Sequence, residues 1–338
     1  MRALTESVLI YCKMKKILFV DTVHPILEER LLELGYFCEF DLTSSKDLIE
    51  AKIDQYVGLV IRSRFPIDEL FLTKARALNF IARSGAGLEN INLVAAAEKG
   101  ITVFNSPEGN MDAVGEQAIG MLLMLFNQLK KGDLEVRNGI WDREGNRGVE
   151  LSKKTVGIIG YGNMGSALAK KLSGFGCRVI AHDKYKTGFS EPLEGQTTAS
   201  NYWQYAEEVD LATIFQETDI LSIHLPLSSE THHYVNAAFL AQFKKPIYLI
   251  NTARGNNVGV ADLVLGLKNN TILGACLDVL AYETKSFETI NSKELPNDFK
   301  YLAQSDRVIL SPHVAGWTTE SYFKLSSFLA DKIEKKFH

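Results

Sequence analysis

VGIIGYGNMGSALAKKL, residues 156–172, joins a short apolar run to an amphipathic stretch through a glycine-rich turn. Gly160, Gly162 and Gly165 have the GxGxxG spacing, which is a weak signal alone and a strong one between a strand and a helix. The first glycine permits a tight turn, the second lets a pyrophosphate approach the backbone, and the third lets the helix pack on the strand. The stretch therefore predicts a dinucleotide site at a helix N-terminus, where N–H groups and the helix dipole favour an anion.

The end of the next strand-like run predicts which dinucleotide binds. The run CRVIAHD ends at Asp183, 23 residues after Gly160. A carboxylate there accepts hydrogen bonds from ribose hydroxyls and repels a 2′-phosphate, so we expect NAD and not NADP. Asp183 could instead be a solvated strand end, and Lys184 and Lys186 could weaken the discrimination. Three more residues of the turn are expected to contact the cofactor: Tyr161, Asn163 and Met164.

Strand-like runs alternate with amphipathic stretches in two series, the pattern of parallel βα units. Between residues 15 and 105 the runs are KILFVD, GLVIRS, NFIARS and ITVFN; from residue 154 they are KTVGIIG, CRVIAHD, DILSIHLP, PIYLIN, ILGACLD and RVILS. A chain of 338 residues exceeds the usual size of one α/β core. We therefore predict an α/β protein of two Rossmann-like, doubly wound parallel-sheet domains with a cleft between them.

Composition limits the classes of partner. Hydrophobic residues make up 46% and charged residues 23%, and the formal net charge of −4 gives no general attraction to nucleic acid. The four cysteines, Cys12, Cys38, Cys177 and Cys276, form no CxxC pair, so neither disulfides nor a metal site is expected. No apolar run approaches a bilayer span and no clean export signal begins the chain. We expect a cytoplasmic protein without a membrane partner, in which residues 1–13 are an extension or precede an alternative start at Met14.

Two stretches carry helical patterns of different kinds. The segment from Asp112 to Lys131 is nearly apolar on all sides, which for a helix implies burial between domains or against another subunit. A polar stretch follows, from Gly139 to Ser152. The segment from Thr318 to Phe337 reads as one amphipathic helix.

Three polar residues follow later strand-like runs, at the edge where an open α/β sheet binds its ligands. They are Arg254 in LINTARG, Glu283 in LDVLAYE and His313 in ILSPHVAGWT. Alone, each could be a surface arginine, a solvated glutamate or a core histidine. Together they suit hydride transfer to a 2-keto acid: Arg254 binds the carboxylate, His313 donates the proton, and Glu283 orients the imidazole and favours its protonated form.

The order of these motifs resembles the D-isomer-specific 2-hydroxyacid dehydrogenases from Lys15 almost to the chain end: GxGxxG, Asp183, TARG, an acid five residues after LD, and PHxxG. The resemblance implies that Arg254, Glu283 and His313 are catalytic. It implies that the substrate carboxylate meets the backbone of Ser84, Gly85, Ala86 and Gly87. Six more cofactor contacts are expected: Leu225, Pro226, Thr252, Ala253, Asp278 and Gly316.

The same resemblance implies a domain plan and an assembly. A flavodoxin-like substrate domain would comprise residues 14–110 and 316–338. An NAD-binding Rossmann domain would comprise residues 111–315, with a dimerisation helix and arm at 112–152, so we expect a homodimer. Two departures put loop shape in doubt: Asn256, Asn257, Val258 and Gly259 follow TARG in place of a small residue, an apolar pair and an acid, and Thr284 and Lys285 stand where a proline is usual.

The other histidines are weaker candidates. His232 and His233 in SSETHHYVN have no carboxylate or cysteine at ligand spacing, so we interpret them as solvated loop residues and not as metal ligands. His224, which ends the run DILSIHLP, is expected to be structural, with Leu225 and Pro226 lining the cofactor.

The substrate prediction rests on the first domain. LVIRSRFPID places Arg62 and Arg64 on either side of Ser63 at a strand end, so both guanidinium groups can lie on one side and bind a phosphate. The IRSR run resembles the phosphoglycerate dehydrogenase branch, in which a basic position like Arg143 reaches the substrate of the neighbouring subunit. The arginines could instead be solvated or pair with Asp68 and Glu69.

We therefore expect D-3-phosphoglycerate as substrate, oxidised to 3-phosphohydroxypyruvate in serine biosynthesis. The alternatives are glyoxylate or hydroxypyruvate reduction and D-lactate oxidation, which share the same catalytic groups. A different class is also open, a non-catalytic NAD(H)-sensing protein resembling corepressors. The sequence shows no regulatory domain of the kind that longer members of the branch carry at the C-terminus, so serine feedback through one is not expected.

Overall fold

The computed structural model describes residues 15–189, 205–283 and 295–338. The chain divides into two compact units, Met1–Asn110 with Trp317–His338 and Met111–Gly316, called the first and second unit below. The expected extension at 1–13 and the departure at Thr284 and Lys285 lie outside the described residues.

The described part of the first unit contains a parallel sheet of five short strands. They are β1 Lys16–Phe19, β2 Phe37–Phe40, β3 Gly58–Ile61, β4 Phe80–Arg83 and β5 Thr102–Phe104. Their order is β2–β1–β3–β4–β5, the flavodoxin-like order, in which ligands bind at the carboxyl ends of the strands. The helices between them are α1 Ile26–Glu33, α2 Lys46–Lys52, α3 Glu69–Lys74 and α4 Leu93–Glu98. Short 3-10 turns lie at Ile53–Gln55 and Pro107–Gly109.

The second unit begins with two helices, α5 Met111–Phe126 and α6 Leu129–Arg137. The interpretation of Asp112 to Lys131 as one helix was wrong, because Gln128 adopts a left-handed conformation with φ 50° and separates α5 from α6. The buried face of α5, including Ala118 and Leu122, packs in the hydrophobic core of its own unit. Burial within the unit therefore explains much of its apolar character.

The described part of the second unit contains a parallel sheet of seven strands. They are β6 Thr155–Ile159, β7 Arg178–His182, β8 Glu207–Glu208, β9 Ile220–Ile223, β10 Ile247–Asn251, β11 Ile272–Leu277 and β12 Val308–Leu310. Their order is β12–β11–β10–β9–β6–β7–β8. The chain leaves β6 toward β7 on one side and returns to β9 on the other, which makes the carboxyl end of β6 the switch point where such sheets bind dinucleotides.

The remaining elements cover the faces of this sheet and complete the first unit. They are α7 Asn163–Leu172, α8 Leu211–Glu217, α9 Ala237–Leu240, α10 Val260–Lys268, α11 Asn297–Gln304 and α12 Thr319–Phe337, with 3-10 turns at Ser173–Phe175 and Gly255–Asn257. Helix α12 belongs to the first unit, where Leu329, Ala330 and Ile333 are buried against its sheet. Thr318 and Ser321 form a capping box at its start, which satisfies backbone donors that a helix terminus leaves unpaired.

The prediction of two doubly wound parallel-sheet units is confirmed. Two strands were not among the runs identified in the sequence. Strand β2, FCEF, is short and half-buried or exposed along its length, and β8 is a pair of glutamates at the sheet edge. Among the described residues, no helix combines the length and apolarity that a bilayer crossing requires.

Candidate active site

The glycine-rich turn of the second unit has the geometry expected of a nucleotide loop. Gly160 has φ 91°, and a Cβ on it would lie 2.5 Å from the His224 carbonyl oxygen. A Cβ on Gly165 would lie 2.2 Å from the Gly160 carbonyl oxygen, so both positions require glycine. A Cβ on Gly162 would meet no atom within 4 Å, and no side chain caps the helix that starts at Asn163. The space before the helix N-terminus is thus open to an anion.

Tyr161 contributes to this turn through its backbone. Its side chain is fully buried and stacks on Phe189 with 4.3 Å between ring centroids. Its N–H donates a 2.7 Å hydrogen bond to Asp183 Oδ2. Asn163 and Met164 form the first turn of α7, beside the open space. Any contact of Tyr161 with a cofactor would therefore come from the main chain.

Asp183 organises the turn after β7. Its Oδ1 accepts hydrogen bonds from the N–H groups of Tyr185, at 2.9 Å, and Lys186, at 3.1 Å, while Oδ2 accepts the one from Tyr161. A carboxylate has about four acceptor sites, so capacity for a ribose hydroxyl remains. The open loop, the uncapped helix and this carboxylate fit NAD.

The remaining expected cofactor residues follow β9, β10, β11 and β12, and Asp278, after β11, is described below with His313. Leu225 and Pro226 come directly after His224, and the Pro226 carbonyl accepts a 2.6 Å hydrogen bond from the Thr231 hydroxyl. Thr252 and Ala253 follow β10, and the buried Thr252 Oγ1 has no hydrogen-bond partner among the described residues. Gly316 is the last residue of the second unit.

Glu283 and His313 are in direct contact. Glu283 Oε2 lies 2.6 Å from His313 Nδ1, and the side chains are 12% and 25% exposed. Glu283 Oε1 accepts a hydrogen bond from the Leu280 N–H, which fixes the carboxylate against its own loop. His313 has a left-handed backbone with φ 56°, a conformation uncommon outside glycine and found at functional sites.

Asp278 holds the turn that carries His313. It is 1% exposed, and its carboxylate accepts hydrogen bonds from the Ser311 hydroxyl at 2.5 Å, the Val314 N–H at 3.0 Å and the Ala315 N–H at 2.8 Å. The Asp278 carbonyl accepts the His313 N–H at 2.7 Å. In this structure Asp278 therefore positions the histidine, a role that its place in the motif did not reveal.

Arg254 follows β10, the strand next to the one that leads to Glu283. Asn251, 1% exposed, accepts from the Ala253 N–H at 3.1 Å and donates to the Arg254 carbonyl at 2.9 Å. Arg254 Nη1 donates to the Ala253 carbonyl at 2.7 Å. Asn251 was missed as a positioning residue; its signal is a polar residue that ends a buried strand, in LINTARG.

The first unit contains Arg62 and Arg64, which were expected to bind a phosphate together, but their guanidinium groups have different partners. The N–H groups of Arg62, Ser63 and Arg64 all donate to Asp21 Oδ2, at 2.6, 3.1 and 3.2 Å. The Arg62 guanidinium lies over the Trp317 ring, 4.3 Å from its centroid. Asp68, one of the two carboxylates considered as partners of these arginines, pairs with Lys46.

The Arg64 guanidinium donates to three backbone carbonyls, those of Val20 at 2.8 Å, Asp41 at 2.6 Å and Ser44. The expectation of a matched arginine pair on one side of the strand is therefore corrected. These carbonyls follow β1 and β2, and the guanidinium fork satisfies groups that the sheet leaves unpaired.

The loop Ser84–Gly87 follows β4. Ser84 N–H donates to the Ile61 carbonyl at 2.9 Å, and the Asn105 amide donates to the Ala86 carbonyl at 2.6 Å. A Cβ on Gly85 would lie 1.6 Å from Arg83 Nη1. Arg83 thus places a guanidinium beside the loop, and its Nε donates to the Arg62 carbonyl at 3.1 Å. Arg83 was missed, although its position at the end of NFIAR is a signal of the kind used for Arg62.

The remaining candidates lie on exposed segments of the second unit. Arg143 is exposed, two residues after Trp141, which is 79% exposed. His232 and His233 stack on each other with 4.1 Å between ring centroids. No group of three or more His, Cys, Asp or Glu in residues 15–189, 205–283 and 295–338 could hold a metal ion.

Comparison with known proteins identifies the family of this chain. The model of the D-isomer specific 2-hydroxyacid dehydrogenase NAD binding domain matches residues 119–315. A hydroxypyruvate reductase of Thermotoga maritima is 32% identical over 301 residues, 88% of this chain and 91% of the relative. A D-3-phosphoglycerate dehydrogenase of Rattus norvegicus is 28% identical over 320 residues, which cover 95% of this chain and 56% of that relative. The chain therefore spans little more than half the length of that protein.

Solved structures share the fold. A glyoxylate reductase from Paecilomyes thermophila has a TM-score of 0.81 at 21% identity, covering 96% of this chain and 95% of that one. The family match confirms the resemblance drawn from the motifs. It also confirms NAD as the cofactor. This chain belongs to the D-isomer specific 2-hydroxyacid dehydrogenase family, whose NAD-binding domain lies in its second unit.

Proposed function

We propose that this chain transfers a hydride between NAD and C2 of a D-2-hydroxy acid, with His313 as the acid–base group. The 2.6 Å hydrogen bond between Glu283 Oε2 and His313 Nδ1 carries this proposal. Because the Nδ1 atom of His313 is hydrogen-bonded to the Glu283 carboxylate, we assign proton exchange with the substrate to the other ring nitrogen, Nε2. A general acid or base held by a second group is the arrangement that such chemistry requires.

NAD, when bound, accepts the hydride and NADH supplies it. During reduction, His313 donates the Nε2 proton to the oxygen on C2 as C2 becomes a hydroxyl-bearing carbon. During oxidation, the neutral imidazole takes the hydroxyl proton, and Glu283 stabilises the imidazolium that forms. Arg254 is assigned to the substrate carboxylate through its planar fork, and the Ser84–Gly87 backbone to the same group.

We propose a phosphorylated substrate, D-3-phosphoglycerate, with 3-phosphohydroxypyruvate as the keto acid and serine biosynthesis as the context. Arg62 and Arg83 support this choice, because the two cationic residues lie at the carboxyl ends of the neighbouring strands β3 and β4, and Arg83 Nε donates a hydrogen bond to the Arg62 carbonyl. Arg64 no longer supports it, because its guanidinium binds carbonyls. Arg143 stays a proposed contributor from a second subunit.

Hydroxypyruvate reduction is the second candidate. It is favoured by the 32% identical relative, of which this chain covers 91%. The two keto acids differ only in the phosphate, so one pair of substrates distinguishes the candidates.

The test compares kcat/KM for 3-phosphohydroxypyruvate and hydroxypyruvate in the parent and in Arg62→Ala. A charged hydrogen bond contributes about 1.5–3 kcal/mol, so we expect about a tenfold to hundredfold loss for the phosphorylated acid and less than threefold for the other. The control is Arg76→Ala, a first-unit arginine that pairs with Asp54 on the surface. A parent that prefers hydroxypyruvate, or equal losses on both acids, would overturn the phosphate assignment.

Catalysis itself is tested with His313→Ala. Removal of an acid–base group costs about a hundredfold or more in kcat, while the affinity for NADH should change less than threefold. NADH binding by the parent without turnover of any 2-keto acid would instead favour the NAD(H)-sensing alternative.

We also propose a homodimer formed through residues 112–152. Large apolar side chains on α6 and the segment after it are more than half exposed in the single chain: Leu129, Leu134, Val136, Ile140 and Trp141. An exposed apolar surface of this kind is typical of subunit interfaces.

The cytoplasm stays the proposed location, because a reducing compartment suits the free cysteines Cys38, Cys177 and Cys276.

A further inference from the structure

A contact in the second unit links the turns that follow β7 and β9, the two strands beside β6. Lys184 Nζ donates a 2.7 Å hydrogen bond to Glu230 Oε2, and Tyr185 Oη donates to the same oxygen at 3.1 Å. Lys184 and Tyr185 follow β7, whereas Glu230 follows β9, and β6 lies between these strands. In a parallel sheet the carboxyl ends of all three strands lie at one edge, so the pair bridges two strand spacings, about 10 Å.

Both ends of this bridge are anchored. On one side the Asp183 carboxylate accepts the N–H groups of Tyr185 and Lys186. On the other, the buried Asn257 side chain donates to the Thr231 carbonyl at 3.1 Å and the Pro226 carbonyl at 3.3 Å. An exposed ion pair usually contributes little because ordering two long side chains costs entropy. Here the backbones that present the pair are already fixed.

Lys184 occupies the position that matters for choosing between the two dinucleotides. Asp183, just before it, stands where ribose hydroxyls are bound, and a cation beside this position accommodates the 2′-phosphate in NADP-dependent proteins. Lys184 would be such a cation if its ammonium group were not held by Glu230. The Glu230 carboxylate also adds a second negative charge near the site.

We propose that Glu230 determines cofactor specificity by holding Lys184 away from the 2′-phosphate position. Asp183 disfavours the phosphate directly, and Glu230 removes the cation that would offset that effect. The proposal depends on the NAD site and not on the substrate or on the acid–base assignment.

Equilibrium binding tests it without turnover. Titrations of NADH and NADPH, followed by protein fluorescence at low ionic strength, are compared for the parent, Glu230→Gln, Lys184→Met and the double variant. We expect Glu230→Gln to tighten NADPH binding about threefold to tenfold and to leave NADH within twofold, because the released ammonium meets only the phosphate of NADPH. In the double variant that gain should disappear. In Glu230→Gln, the gain in NADPH affinity should also shrink at high salt, because salt screens interactions between exposed charges.

The matched control is Glu217→Gln. Glu217 likewise pairs with a basic residue, Arg178, but this residue lies at the amino end of β7 and not at its carboxyl end. This variant changes the net charge by the same amount at the opposite edge of the sheet, so it should not alter NADPH binding. An unchanged NADPH-to-NADH ratio in Glu230→Gln, or a gain that survives Lys184→Met, would overturn the proposal.

Discussion

A Cβ on Gly255 would lie 2.1 Å from the carbonyl carbon of Leu280. The loop that follows Arg254 therefore packs directly against the backbone of the loop that leads to Glu283. The neighbouring strands β10 and β11 set this approach, and the glycine makes it possible. The TARG motif thus supplies a close contact as well as a cation.

Gly255→Ala should damage the site through this contact. The added methyl group meets backbone atoms, which cannot rotate away, so the two loops must separate. We expect a loss of about 1–3 kcal/mol in the free energy of unfolding, measured by urea titration, and at least a tenfold loss in kcat. Gly174→Ala is the control, since its Cβ would meet nothing within 4 Å. Equal behaviour of the two variants would contradict the argument.

Glu283→Gln should slow keto-acid reduction. The amide keeps the shape of the side chain but no longer offers a charged acceptor to His313 Nδ1, and a hydrogen bond to a charged group contributes about 1.5–3 kcal/mol. We expect kcat for reduction to fall about tenfold to hundredfold, while the affinity for NADH changes less than threefold. A kcat equal to that of the parent would reduce Glu283 to a structural role.

Arg64→Ala and Arg62→Ala should differ in stability. Arg64 donates to three carbonyls after β1 and β2, and its removal leaves these acceptors without their donor, which costs about 2 kcal/mol or more. Arg62 lies over Trp317, a contact worth about 0.5–1 kcal/mol when exposed. Urea unfolding of both variants tests the ranking, and the reverse order would contradict the stabilising role assigned to the Arg64 hydrogen bonds.

His224 should make the second unit sensitive to mild acid. Burial lowers its pKa from 6.5 to about 4, and its Nε2 lies 2.8 Å from Ser222 Oγ. Below pH 6.5 the unfolded chain binds a proton that the folded chain excludes, so stability present above pH 6.5 is lost as the pH falls toward 4. Between pH 7 and 5 the loss is about 2 kcal/mol.

The measurement for His224 is the melting temperature at pH 7 and pH 5. The parent should lose more than His224→Gln, in which nothing at this position titrates. His232→Gln, a change on an exposed loop, should behave as the parent does. If His224→Gln keeps the full acid sensitivity, the buried imidazole is not its source.

The proposed dimer predicts a mass of twice the 37.7 kDa chain. Leu134→Glu places a charge on α6, where the parent leucine is 61% exposed, and should reduce the mass measured by light scattering to that of one chain. Leu48→Glu is the matched control, because that leucine is 60% exposed on α2 of the first unit. A monomeric parent would exclude the proposal.

The sequence by itself determined the class of fold, the nucleotide turn and the cofactor. These depend on local patterns: apolar runs alternate with amphipathic helices, and Gly160, Gly162 and Gly165 place three backbone requirements within six residues. Asp183 could be identified because it directly follows the next strand of the same unit. Arg254, Glu283 and His313 could be nominated for the same reason, since the carboxyl ends of parallel strands share one edge.

Only the tertiary structure decided what each side chain touches. Glu283 and His313 are 30 residues apart, Asp278 and Val314 are 36 apart, and Lys184 and Glu230 are 46 apart. Their contacts depend on strand order and loop packing, which no local pattern encodes. Arg62 and Arg64 show the limit most directly: identical residues two positions apart in the sequence meet an aromatic ring and three carbonyls respectively. The two side chains have different partners because the Arg64 guanidinium reaches backbone carbonyls that the sheet leaves unpaired and donates hydrogen bonds to them.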